Sequence, residues 1–230
     1  MEEIIVTDLT RFSEGSKYVC LAGISTETGK LIRPLPYLTI VDSEKLDIRP
    51  GTKLQGVFEL RPHLENPHTE DHNYDEGLTG AGRVTSDEFR RVLENSSFLT
   101  LNEGFGLPVA PKEKSYSPEN CPQRSIITLK VDPKLVQIVP NQYDSNKLKA
   151  HITDGEGVAL SFLSITDKGF YHFAQDHHRF DQLEEINAFI HNSQEVFVRV
   201  GLGREHKGKY WLQVNGIYTF PEPFVDLRGE

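Results

Sequence analysis

The fold turns on Tyr18–Leu35, YVCLAGISTETGKLIRPL. YVCLAGI (Tyr18–Ile24) is a short apolar run, STETG (Ser25–Gly29) gathers small and hydroxyl residues, and KLIRPL (Lys30–Leu35) turns apolar again. Two short apolar runs around a polar, glycine-ended tip predict a β-hairpin. Pro34 brings no amide hydrogen to a ladder, so the returning strand must end, bulge or lie on an edge there.

The same pattern repeats outward. Strands are predicted from Glu3 (EIIVT) and over Thr52–Leu60 (TKLQGVFEL), where Pro62 closes the run. They resume at Ser125–Val131, Leu135–Val139, Lys147–Thr153, Val158–Ile165, a short piece at Tyr171–Ala174, and Glu195–Val200. YWLQVNGIYTF (Tyr210–Phe220) reads either as two strands turning at Asn215–Gly216 or as one strand continuing past a bulge. Two helices are predicted. In VTSDEFRRVLENS, Thr85 and Glu88 have capping-box spacing, and Phe89, Val92 and Leu93 share a face. Near 181–192, Asp181 and Glu184 form a candidate cap pair ahead of an apolar stripe of Leu183, Ile186, Phe189 and Ile190.

Two clusters of about five short strands fit a mainly β chain of two tandem small OB-like barrels, with a loop-rich linker and a few short helices. The expected segments are 1–62 for the first barrel, 63–122 for the loop-rich connection with one helix, and 123–230 for the second barrel. A split β-sandwich accounts for nearly the same pattern. Long βαβ alternation is missing, GLGREHKG (Gly201–Gly208) does not complete GxGxxG, and LTGAGRV (Leu78–Val84) has no phosphate-loop Lys-Ser/Thr pair.

At 230 residues, 37% hydrophobic and 26% charged, the chain has the composition of a soluble globular protein. It has no apolar run of about 18 residues, which argues against a membrane span. The start, MEEIIVTDLT, lacks the basic-then-apolar order of a secretion signal, so the expected compartment is cytoplasmic. Cys20 and Cys121 have no CxxC partners, so a thiolate zinc site is unsupported and no cofactor is expected. A formal charge of −9 argues against nucleic-acid binding by bulk electrostatics alone, yet leaves room for a local basic groove.

Several residues have chemical character. Arg33, among apolar strand neighbours, would present a rigid donor fork to phosphate, carboxylate or a base edge, or pair with an internal acid. Arg11 and Phe12 offer a cation beside a stacking ring, or a loop arginine beside a core-capping aromatic. In the C-terminal segment Gln213 and Asn215 alternate with Leu212 and Val214, so the amides share a strand face. Trp211 and Tyr218 would stack a base while the amides read an edge, with Arg204 adding positive potential; alternatively these residues belong to a sheet core. RPHLENPHTEDHN (Arg61–Asn73) packs histidines and acids together. His68, Asp71 and His72 are candidate metal ligands there, but HTEDH lacks the glutamate placement of HExxH, and hydrogen bonds within a loop account for the run as well.

TDLTRF (Thr7–Phe12), CLAGISTETGKLIRPL (Cys20–Leu35), PHTEDH (Pro67–His72), GLGR (Gly201–Arg204) and WLQVNGIYTF (Trp211–Phe220) together resemble the dual OB-containing domain family. The family's Arg-Pro element falls on Arg33 and Pro34, and its HxED-like element on His68, Glu70 and Asp71. The resemblance implies tandem OB-like barrels in bacterial proteins and recognition of nucleic acid or a nucleotide, sometimes in defence or stress contexts. It carries over no catalytic residue. The leading expectation is a binding module for single-stranded DNA or RNA or a nucleotide, and not an enzyme. The alternatives are a metal-dependent phosphodiester hydrolase and a scaffold that binds a protein partner.

Overall fold

The structure, a computed structural model, describes residues 1–13, 15–74, 77–110, 113–179 and 181–221, and only the backbone at 146. The end of the expected third segment, 222–230, lies outside the described residues. The predicted hairpin is present. β1 (Glu2–Arg11) pairs antiparallel with β2 (Tyr18–Ser25), and β3 (Leu31–Leu35) returns from the STETG tip. Gly29 closes that tip at a φ of +67°, a left-handed conformation open to glycine without steric cost. Then follow β4 (Leu38–Thr39), α1 (Ile40–Lys45), β5 (Thr52–Gly56), β6 (Phe58–Leu60), β7 (Asp71–Tyr74) and β8 (Thr79–Arg83).

The first sheet runs β6-β7-β3-β2-β1-β5-β8, with β4 beside β2. β5 and β6 are separated only by Val57, yet they stand far apart along this path, so the sheet must curl. The single strand expected at Thr52–Leu60 is therefore two, and the chain changes pairing partner at Val57. Pro34 acts as the sequence requires: β3 pairs with β2 only at Ile32 and Leu31, then switches to a parallel pairing with β7.

The second half contains α2 (Ser86–Asn95), β9 (Ser97–Phe98), α3 (Leu101–Phe105), β10 (Ser115–Tyr116), β11 (Ile126–Val131), β12 (Val136–Asn141), β13 (Asp144–Thr153), β14 (Ala159–Ile165), α4 (Lys168–Arg179), α5 (Leu183–Asn192), β15 (Glu195–Leu202) and β16 (Tyr210–Phe220). Its sheet runs β12-β13-β14-β16-β15-β11-β9, with β10 beside β16. The protein is thus mainly β, with two sheets and short helices. Among the described residues no pairing joins the two ends of either sheet, so the barrels expected from sequence are seen as two curled sheets. In the first sheet the end strands have little to pair with: β6 has three residues, and β8 (TGAGR) is exposed throughout.

The stretch 63–122 is more than loops and one helix. β7 and β8 join the first sheet, while β9 and β10 join the second. The strand expected at Tyr171–Ala174 is instead the middle of α4, where Phe170 and Ala174 are buried one turn apart. Asp167 begins that helix by accepting the Phe170 amide at 3.0 Å. α5 has no side-chain cap, and Asp181 sits at a φ of +58°, so the expected Asp181–Glu184 cap pair does not form. The Thr85–Glu88 capping box on α2 is complete. β16 is one strand with a bulge at Asn215: Val214 faces Val200 and Gly216 faces Arg199.

Each half has its own apolar core. A third cluster joins them: Ile5 of β1, Phe89 and Leu93 of α2, Phe197 of β15, and Tyr218 and Phe220 of β16. At about 1.5–3 kcal/mol per fully buried large side chain, this cluster holds the halves together. Among the described residues no helix is long and apolar enough to cross a membrane.

Candidate functional site

A cleft of about 1180 Å³ opens where the two sheets meet. From the first half it takes Arg11 and Phe12 at the end of β1, Arg33 on β3, and Tyr37 just beyond. The second half adds Thr166, Tyr171 and Gln175 of the α4 region, the Gly203–Arg204 turn, and Gln213 and Asn215 on β16. β1 stitches the two sides together: the Arg11 amide donates to the Thr166 carbonyl at 2.8 Å, and Thr10 bridges to Asp167.

One wall is a cation–carboxylate network that follows from strand register. β3 and β7 place Arg33 opposite Asp71. Arg33 Nε donates to Asp71 Oδ1 at 2.5 Å, and Arg204 Nη2 donates to Asp71 Oδ2 at 2.8 Å. Arg33 Nη1 donates to Ser125 Oγ at 3.1 Å, and that hydroxyl donates to Glu70. Arg204 Nε donates to the Tyr37 hydroxyl at 3.1 Å, and Tyr37 meets Phe12 edge-on at 4.9 Å. Burial pushes the Asp71 carboxyl up, but the Arg33 and Arg204 guanidiniums outweigh it and hold it below the usual carboxylate range. Arg33 is 4% exposed and borders the cleft, and its Nη2 has no hydrogen-bond partner among the described residues.

The opposite wall presents Arg11, whose guanidinium lies 3.6 Å from the centre of the Tyr171 ring. Among the described residues Arg11 has no carboxylate partner, and its Nε is buried without a hydrogen bond. The floor between the walls is an amide pair. Gln213 Nε2 and Thr166 Oγ1 both donate to Asn215 Oδ1, at 3.1 and 3.0 Å. Asn215 sits at the bulge and lies flat across Gly201, where a Cβ would collide with the amide. A fixed pair of amides with further donor and acceptor capacity can recognise the edge of a base.

Of the residues nominated from sequence, Arg11, Phe12, Arg33, Arg204, Gln213 and Asn215 converge on this cleft. Trp211 and Tyr218 do not. Trp211 is 38% exposed outside the cleft, with its Nε1 donating to the His206 carbonyl at 3.1 Å. Tyr218 is 1% exposed in the joining cluster, where its hydroxyl donates to the Thr7 carbonyl at 2.8 Å. Beyond the bulge Tyr218 packs edge-on against Phe89 of α2, at 5.0 Å. His68, Asp71 and His72 are not drawn together as ligands either. Both Asp71 oxygens are held by arginines, His72 Nδ1 donates to the Glu70 carbonyl at 2.8 Å, and His68 packs edge-on against Tyr210 at 5.6 Å. Among the described residues no three His, Cys, Asp or Glu side chains gather to hold a metal.

Tyr37 and Tyr171 are cleft residues that sequence reasoning missed. Tyr171 had a signal in the stripe Phe170, Phe173, Ala174 and His177, whose spacing is helical, with Asp167 as its cap. Cys20 is partly buried on the cleft wall, and burial pushes its thiol up.

A family model described as Dual OB-containing domain matches residues 6–217. The match runs from β1 to β16 and so takes in both sheets and the cleft. No curated protein matches the chain.

Proposed function

Because the chain belongs to the dual OB-containing domain family, we propose that its inter-sheet cleft binds single-stranded nucleic acid or a nucleotide. The observation that carries this reading is Arg11: a cation with no carboxylate partner among the described residues, stacked on Tyr171, beside the amide floor of Gln213 and Asn215. A phosphate supplies the negative counter-charge for Arg11, and the rings of Tyr37 and Phe12 give a base a π-face. Gln213 and Asn215 then meet the base edge, and Arg33 and Arg204 hold the rim. In this reading each curled sheet is an OB-like barrel and the cleft is their shared groove. The net charge of −9 is compatible with it, because a local field, not the total, acts on a ligand inside a cleft.

Fluorescence anisotropy at low salt, with labelled single-stranded DNA and RNA and with nucleotides as competitors, tests the proposal. Saturable, salt-sensitive binding that falls about tenfold in Arg11→Ala is expected, since charge-assisted contacts contribute roughly 1.5–3 kcal/mol. Wild-type protein that binds neither oligonucleotides nor nucleotides at low salt refutes it.

A further inference from the structure

β13 leaves the cleft at Lys147, which lines it. Residues two apart on a strand share a face, so Lys147, Lys149 and His151 form one row, while Leu148, Ala150 and Ile152 point into the core. Lys149 Nζ donates to Ser164 Oγ on β14 at 2.9 Å, and Ser164 also lines the cleft. Lys114 reaches over the same face, its Nζ donating to the Ser161 and Phe162 carbonyls at 3.3 and 3.5 Å. Among the described residues neither Lys114 nor Lys149 has a carboxylate partner. Burial, and then the charges of Lys114, Arg11 and Lys147, pull the Lys149 ammonium below its ordinary range. Lys147 pairs with Asp144 Oδ2 at 3.2 Å, which leaves Lys114 and Lys149 as like charges held close together with no carboxylate among the described residues; that is costly, and an anion relieves the cost.

An aromatic ring lies at the end of this row. β14 bulges so that Ser161 and Phe162 stand opposite His151 alone. Phe162 takes a φ of +56°, a conformation that costs a bulky residue energy, and its ring meets His151 edge-on at 4.6 Å. Phe162 is only partly buried. The bulge therefore holds an aromatic ring on the outer face beside the row of cations.

We infer that the occupant is a single-stranded polynucleotide rather than a free nucleotide, and that it leaves the cleft along the outer face of β13 and β14, with phosphates on Lys147, Lys149 and Lys114 and a base against Phe162. This rests on the cleft being a nucleotide site. A mononucleotide confined to the cleft would leave Lys149, Lys114 and the strained Phe162 without a role. A strand running over them meets alternating charge and ring, the combination that holds single-stranded nucleic acid without sequence preference.

The test compares labelled DNA and RNA decamers with dinucleotides of the same base, on wild type and on Lys114→Gln/Lys149→Gln. The decamer is expected to bind about tenfold or more tighter than the dinucleotide, with a log–log salt slope of about −3 for four phosphate contacts. The double variant should bind the decamer about tenfold more weakly, with a slope shallower by about 1.4, and bind the dinucleotide as wild type does. Phe162→Gly suits the positive φ and removes the ring, so it should weaken decamer binding without lowering the melting temperature. Equal affinity for decamer and dinucleotide, or a double variant that binds the decamer as wild type does, overturns the inference and leaves the cleft reading standing. Loss of every ligand from wild type removes both.

Discussion

Two arginines sit on strands with almost no exposure, Arg199 on β15 at 2% and Arg33 on β3 at 4%, and their surroundings differ. Arg199 Nε and Nη2 both donate to Asp8 Oδ2, at 3.0 and 2.7 Å, and Nη1 donates to Thr128 Oγ1 at 2.7 Å. Asp8 lies on β1, so this pair binds one half of the molecule to the other. Arg33 uses Nε and Nη1 on Asp71 and Ser125, and among the described residues its buried Nη2 has no hydrogen-bond partner. Its carboxylate is shared with Arg204, whose side chain is 44% exposed. A buried guanidinium whose three nitrogens all have partners serves the fold. Arg33 shares its carboxylate with a half-exposed arginine that borders the cleft, so its network, unlike that of Arg199, continues to the cleft surface.

The comparison breaks most readily at Arg199. Arg199→Met strands the Asp8 carboxylate, and a loss of about 3–5 kcal/mol of unfolding free energy is expected from urea denaturation. A loss below about 1 kcal/mol would mean the pair adds little to the apolar cluster that joins the halves. Next in size is the pH response of His68, behind the open network. Burial, then Arg33 and Arg204, push its imidazole down to about 3. The unfolded chain takes up its proton near pH 6.5 and the folded chain does not, so stability is full above 6.5 and falls as pH drops toward 3. The slope should reach about 1.4 kcal/mol per pH unit. Chemical denaturation at several pH values should show it in wild type and flattened in His68→Phe; equal slopes would refute the assignment.

Arg33→Met sharpens the contrast from the other side. Arg204 still reaches Asp71, so the stability loss should be smaller than at Arg199, on the order of 2 kcal/mol. Ligand affinity should fall with it, whereas Arg199→Met should retain affinity at temperatures where it stays folded. Anisotropy and melting curves on both variants decide this, and matching profiles would erase the distinction. The smallest expected effect is at Gly201. In Gly201→Ala the new Cβ displaces the Asn215 amide, so binding should weaken about tenfold, or about 1.4 kcal/mol. The colliding atoms belong to a side chain and not to backbone, so the melting temperature should move little, and unchanged affinity would remove Asn215 from the site.

Local chemistry made much of this legible. The STETG hairpin, the capping box of α2 and the partner change at Pro34 depend on residues close in sequence, and they form where the residues dictate. α4 went unread because its aromatic residues suit strands as well as helices, and only packing of Phe170 and Ala174 settles the matter. Tyr218 shares the C-terminal strand with Gln213 and Asn215, yet it is turned into the joining cluster. Its pattern could not place it, because a bulge changes which face the following residues occupy.

By itself the sequence determined that the chain is mainly β and where the first hairpin turns, because turn residues, proline and apolar spacing act over a few residues. It also marked Arg11, Arg33, Arg204, Gln213 and Asn215 as chemically unusual for their settings. Only the tertiary structure decided which of these meet. Arg33 acquires Asp71 through parallel register, Arg204 reaches the same carboxylate from the other half, and Arg11 is left facing Tyr171. Whether a charge is paired or open is fixed by contacts between residues distant in the chain, so no local pattern can record it. The RPHLENPHTEDHN run illustrates this: its Glu70 and Asp71 are counter-ions of the cleft wall, a role that becomes visible when β7 lies against β3.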